Sequence, residues 1–230
     1  MKSNFISKNR DHIKKLTAVG LFSALAYVCC VMFHFKAGFL TFDLKDAVMT
    51  VCGMIFGPLY GIACALIVAF IEAVTISDTA VYGFIMNVLS SCTFIGVSSI
   101  IYSRRRTIPM AVISMVVASL STVGIMIVAN LFISPYYMGV DRAAVGAMIP
   151  TLLLPFNATK AVFNSSVVFI LYKPVVTAIR SSGFFKVSDG TPAKIKAKRT
   201  IPVTLIALIV ATLTLAFFFV HLKGSFDFGA

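Results

Sequence analysis

Apolar positions run almost unbroken for about twenty residues at a time, the length a helix needs to cross a bilayer, and short polar clusters separate the runs. The first run covers about residues 16–34 and ends at "HFKAG". The polar corner "FLTFDLKDA" follows, with Asp43 placed to cap a second, shorter helix that reaches about residue 55. "FGPLYG" at 56–61 breaks the chain, and a third run continues to about 75. The fourth spans about 80–103, the fifth about 109–133, and the sixth reaches about 178 after the outer segment "SPYYMGVDRAAVGAMIPT". A last apolar stretch, "IPVTLIALIVATLTLAFFFV", begins at residue 201. The pattern predicts an all-α polytopic membrane protein, with a six-helix core at 16–178 and a seventh C-terminal transmembrane helix at 201–221.

Composition agrees: 59% of the 230 residues are hydrophobic and 12% charged, and the mean hydropathy is +0.98. A soluble domain of this length needs more polar surface than that. The net charge of +12 raises the question of a nucleic-acid partner, and the positions of the charges answer it. Lys2, Lys8, Arg10, Lys14 and Lys15 precede the first run, Arg104–Arg106 close the fourth, and seven more lie between Lys173 and Arg199. All three segments fall on one side of the bilayer, the positive-inside pattern, so the charge sets orientation rather than announcing a nucleic acid. The N-terminus (1–15) and the linker at 179–200 are then cytoplasmic, the tail at 222–230 extracellular. Asp43, Asp46, Asp78, Asp141 and Asp227 fall on the other side, with Glu72 near it. "AYVCCVMF" offers no small-x-small cleavage site, so the first run reads as a retained span.

Enzyme chemistry finds little support. The cysteines at 29, 30, 52, 64 and 92 lie in apolar runs without metal-ligand spacing and read as small core residues. His12, His34 and His221 sit at span ends and form no cluster. "NSS" at 164–166 has no partnered histidine at its depth. No Walker motif is present.

The chemistry concentrates in "LLLPFNATKAVFN", residues 152–164. Pro155 suits the first turn of the sixth helix, where its missing N–H costs nothing. Asn157, Lys160 and Asn164 follow at i, i+3 and i+7, on one helical face. The helix runs inward from the outer side, so Asn157 lies near the entrance and Asn164 roughly 10 Å deeper. An ammonium at that depth is costly against lipid, so Lys160 is expected to face the bundle interior or an aqueous cavity. Asn130 and Asn87 stand at compatible depth, and Asp43 and Lys45 flank the first outer corner. Phe39, Phe42, Phe156, Tyr136 and Tyr137 offer flat walls. Amides beside aromatic walls suit a planar heteroaromatic ligand whose edge alternates carbonyl and N–H groups. Blander readings stand beside this one. Asn157 alone satisfies backbone groups at a helix entrance, Lys160 snorkels or pairs with Glu72, Asn87 glues helices together, and Asn130 merely ends its helix. Gly20 and Ala24 form a small-xxx-small pair on the first span, where a partner helix can approach closely.

These pieces together resemble the substrate-binding S component of energy-coupling-factor vitamin importers, of the riboflavin-binding type. The likeness lies in "FLTFDLKDA" with "GMIFGPLYG", "GFIMNVLSSCTF", "NLFISPYY" and "LPFNATKAVFN", in order across residues 16–178. It implies a bacterial plasma-membrane protein that binds riboflavin in an outward-facing cavity closed by the first outer loop. Riboflavin would be the transported ligand, with no cofactor. Asn130, Asn157, Lys160 and Asn164 match family positions that meet it. The resemblance further implies a transmembrane coupling subunit and two cytoplasmic ATPases as partners. The first helix faces that subunit through an Ala-xxx-Ala pattern, whose counterpart here is Gly20 and Ala24. Another vitamin such as thiamine, a membrane-embedded enzyme acting on a lipid or isoprenoid substrate, and a purely structural assembly subunit that binds no small molecule are the alternatives. The intramembrane lysine weighs against cationic thiamine, and Glu72 is the sole acid available to an enzyme. The seventh segment departs from the family pattern and has no role in it.

Overall fold

The computed structural model describes residues 2–76, 80–181, 197–222 and 225–226. Asp78, most of the basic linker (182–196) and the tail beyond 226 lie outside the described residues. Helix α1 spans Lys2–Met32, α2 Lys45–Phe56, α3 Pro58–Thr75, α4 Ala80–Arg104 and α5 Ile108–Met138. Then come α6 (Arg142–Met148), a π-helical turn at Ile149–Leu153, α7 (Leu154–Ser181) and α8 (Ala197–His221). Six helical segments among the described residues are long and apolar enough to cross a membrane.

The second helix is the exception. Its 12 residues rise about 18 Å, well short of a hydrocarbon core of about 30 Å. It is buried along nearly its whole length, from Lys45 to Ile55, and serves as an inner column around which α1, α3, α4 and α7 pack. Leu44 occupies its cap position without a side-chain bond. Asp43 stands one residue earlier and accepts the Lys45 N–H through Oδ1 at 3.2 Å. Gly57, at φ 115°, turns the chain into α3. On either side of that turn, Gly53 and Gly61 let α2 and α3 touch backbone to backbone: a Cβ on Gly61 would fall 2.7 Å from the Gly53 Cα and 2.6 Å from Ile95 Cγ2.

Pro155 is the second residue of α7, preceded by the π turn rather than by a loop. Its missing N–H interrupts the i→i−4 ladder whatever precedes it, and the wider turn carries the helical path from α6 into α7.

Between α1 and α2 the chain forms a β-hairpin that the hydropathy pattern did not disclose as strand. β1 (Phe35–Ala37) pairs antiparallel with β2 (Leu40–Phe42), Phe35 opposite Phe42 and Ala37 opposite Leu40. Gly38 starts the two-residue turn at φ 62°, a conformation open to glycine. Both strands alternate buried, half-buried, buried, the period expected of a sheet with one face on a core. A third strand, β3 (Ser225–Phe226), joins the other edge of β1. The interior divides accordingly. One cluster joins α1–α4 to the inner half of α7 around Met49, Val68, Ile95 and Val168. The other gathers the hairpin, α6, the start of α7 and α8 around Phe42, Val145, Leu153 and Phe218.

Candidate functional site

A cavity of about 260 Å³ opens at the end of the bundle where the hairpin lies. The hairpin forms one wall through Lys36, Gly38, Phe39, Leu40 and Thr41. The others come from α3 (Glu72), α4 (Gly83, Met86, Asn87, Ser90), α5 (Met126, Tyr137) and α7 (Phe156, Asn157, Lys160). Six residues singled out from the sequence, Asn157, Lys160, Asn87, Phe39, Phe156 and Tyr137, therefore meet on one surface. Asp43, Asn130 and Asn164 stand behind it.

The arrangement at Lys160 shows how loop and helix are joined. Its ammonium donates to the Thr41 carbonyl at 3.0 Å and to Asp43 Oδ2 at 2.9 Å, so the lysine grips β2 and the residue that follows it. Its side chain is 13% exposed, and that of Asp43 not at all. Asp43 Oδ2 also lies 3.4 Å from Lys45 Nζ, and Lys45 in turn pairs with Glu72. Burial pushes the Asp43 carboxyl up, but Lys160 and Lys45 outweigh it and hold the group down at about 2. Asp46 accepts a hydrogen bond from Ser91 on α4. The buried charges thus form one connected chain from α3 through α2 to α7. Glu72 pairs with Lys45, and Lys160 with Asp43.

The three asparagines of α5 and α7 are anchored. Asn164 donates to the carbonyls of Asp43 (3.2 Å) and Lys160 (3.1 Å) and accepts the Ala47 N–H (3.0 Å), so it holds the start of α2 against α7. Asn130, fully buried, donates to Met126 O and accepts from Ser134. Asn157 donates to Leu153 O at 2.7 Å, which fixes its amide plane at the cavity wall. Asn87 lines the cavity and makes no side-chain hydrogen bond to another described residue. The aromatic wall is Phe39 edge-on to Tyr137, ring centres 6.0 Å apart, with Phe156 nearby.

Sequence reasoning passed over several wall residues. His34 was weighed only as a metal ligand, yet it lines the cavity and its buried Nδ1 has no hydrogen-bond partner among the described residues. Lys36 and Thr41 belong to the hairpin, and Gly38, a turn residue between two short triplets, is the local signal that points toward them. Glu72 was recognised but matched with the wrong lysine as an alternative. Among the described residues no three His, Cys, Asp or Glu side chains gather as a metal site. On α1, Gly20 and Ala24 face outward, and a Cβ on Gly20 would meet nothing within 4 Å.

Comparison with known proteins places this geometry in context. The chain is 23% identical over 181 residues to the riboflavin transporter RibU of Staphylococcus aureus (strain TCH60), covering 75% of this chain and 95% of that protein. It is 24% identical over 185 residues to the riboflavin transporter FmnP of Bacillus subtilis (strain 168), covering 74% and 97%. Among solved structures, the S component of a bacterial ECF transporter superposes with a TM-score of 0.64 at 22% identity, over 74% of this chain and 99% of that one. The family model for the substrate-specific component of ECF transporters matches residues 14–172, the stretch that holds most of α1, the hairpin and the lining of the cavity. The chain belongs to the family of ECF transporter substrate-specific components.

Proposed function

We propose that this protein captures riboflavin from outside a bacterial cell and passes it inward, as the binding subunit of an ATP-driven importer. The observation that carries the reading is the cavity wall itself: an ammonium (Lys160) and two amides (Asn157, Asn87) beside Phe39, Tyr137 and Phe156. A planar ring with carbonyls along its edge is what such a wall recognises, since amides and an ammonium donate to carbonyls while aromatic faces cover the ring. Two relatives are named as riboflavin transporters, which supports the same ligand.

The electrostatics favour a neutral or electron-rich guest over a cation. Glu72 is the sole acid on the wall among the described residues, and its charge is already paired with Lys45. Thiamine, a cation, would find no unpaired carboxylate on this wall among the described residues. A membrane-embedded enzyme would need an acid free to exchange protons, and Glu72 is committed to its ion pair.

ATP hydrolysis falls to partner subunits, a coupling membrane subunit and two cytoplasmic ATPases. The outward face of α1, with Gly20 and Ala24, suits close approach of a partner helix. The test is a fluorescence titration of the purified full chain with riboflavin, followed by competition with thiamine. Saturable quenching at one flavin per chain, undisturbed by thiamine, is the expected result. Displacement by thiamine, or no quenching at all, would overturn the reading.

A further inference from the structure

We propose that the C-terminal segment, α8 with β3, fastens the hairpin that walls the cavity, and that Phe218 is the positioning residue through which it does so. The claim that this governs the vitamin's exchange rests on the function proposed above; the fastening itself does not.

The starting point is the weakness of the hairpin. Two strands of three residues are marginal alone, and this pair carries five cavity-lining residues. Something must hold it. On one side the Lys160 grip on Thr41 and Asp43 does so. On the other side, β3 adds a third strand along β1, Phe35 opposite Phe226 and Lys36 opposite Ser225. Beneath the sheet, α8 sends in Phe218, which is 0% exposed. Its ring centre lies 4.5 Å from that of Phe42, the last residue of β2. It is 6.3 Å from Phe35 on β1 and 6.3 Å from Phe156 on the cavity wall. One side chain therefore touches both strands and the helix that completes the cavity.

The rest of α8 is built for lipid and for this contact. Ala207, Ala211, Phe218 and Leu222 are buried along one stripe, whereas Leu205, Leu208, Ile209 and Leu213 on other faces are more than half exposed. The segment also lies beyond residue 172, where the family match ends, and the relatives are almost fully covered by about three quarters of this chain. The fastener is an addition to a domain that is otherwise shared. Its consequence follows from size. The cavity, about 260 Å³, is at the small end for ligand pockets, which run from roughly 300 Å³ upward, so a flavin-sized guest requires the hairpin to yield. When it yields, Phe42 must move against Phe218 and β1 against β3. The C-terminal segment thereby sets how readily the cavity opens and how long its guest stays.

The test uses the full chain in nanodiscs. In Phe218→Ala, amide hydrogen exchange across residues 35–42 should quicken about tenfold or more, and riboflavin should leave on the order of tenfold faster with a smaller change in its arrival rate. A variant with a lower melting point but parental exchange across 35–42 overturns the proposal, because Phe218 would then serve helix packing alone. The second variant is Lys36→Cys/Ser225→Cys, at positions opposite each other in antiparallel register, where Cβ atoms lie about 4.5–5.5 Å apart. Once oxidised, the pair should slow flavin exchange by about tenfold and release it again on reduction. The single variants under the same oxidant control for the native free cysteines. Unchanged exchange in a verified cross-linked sample refutes the claim that the hairpin and β3 must separate. If the parent takes up no riboflavin the functional reading fails, and the hydrogen-exchange comparison still decides whether α8 holds the hairpin.

Discussion

Replacing Lys160 by methionine removes the ammonium while keeping most of the stem, and the structure states what is left behind. Asp43 Oδ2 loses a partner at 2.9 Å and retains Lys45 at 3.4 Å; the Thr41 carbonyl loses its donor. Stripping one partner from a fully buried ion pair costs about 3–5 kcal/mol. Two features reduce that figure: Lys45, though shared with Glu72, still lies 3.4 Å from the carboxylate, and the Lys160 side chain is 13% exposed, so water reaches the site. A hydrogen bond to a charged group contributes about 1.5–3 kcal/mol, and that is the expected loss. Because the same grip places the hairpin wall and the ammonium faces the cavity, flavin affinity should fall roughly 10- to 150-fold. Stability is read by thermal unfolding in detergent and affinity by flavin quenching. Asp43→Asn in the Lys160→Met background should recover part of the stability, because the stranded charge is gone, with a coupling of about 1–3 kcal/mol. Strict additivity of the two substitutions, or parental affinity in Lys160→Met, would refute the reasoning.

Gly61→Ala should destabilise the protein by about 1–3 kcal/mol, measured as a lower melting point, since its methyl would fall 2.7 Å from the Gly53 Cα. Gly20→Leu points into open space, so riboflavin affinity and melting point should match the parent while uptake into cells carrying the partner subunits falls; preserved uptake counts against the partner face on α1. For pH, burial depresses the His34 imidazole below its ordinary 6.5, outweighing the opposite pull of Asp43 and Glu72 and joined by Lys36 and Lys45. The unfolded chain then takes up the His34 proton first, so stability should decline as pH drops below about 6.5, and His34→Gln should flatten that slope. Asp43, held at about 2, has the opposite kind of shift. Its stabilisation is complete above about 3.9 and is lost only as pH falls toward 2, so it adds no slope near neutrality.

The helices were readable in the chain because lipid imposes a simple rule: about twenty apolar residues, then punctuation. Lys160, Asn157 and Asn87 stood out for the related reason that polar groups in such runs need a destination. Less legible was everything that depends on partners far along the chain. Lys45 looked like a corner residue, yet it is buried against Glu72, 27 positions away, and nothing local announces such a pair. Asn164 shares a helical face with Lys160, but its amide is taken by the backbone of residues 43, 47 and 160; helical spacing shows which face a residue occupies and not which groups meet it there. The hairpin escaped notice because three-residue strands carry too few alternations to stand out against a hydrophobic background. The docking of α8 was invisible because Phe218 is one phenylalanine in "AFFFV", and only the fold distinguishes it from its neighbours.

The most direct measurement is a structure of the full chain with riboflavin bound. The isoalloxazine ring should lie between the hairpin and α4–α7, its carbonyl edge within about 3.2 Å of Lys160, Asn157 or Asn87, and its face against Phe39 or Tyr137. A ring seated outside this cavity, or a cavity filled by side chains while flavin binds elsewhere, would contradict the account.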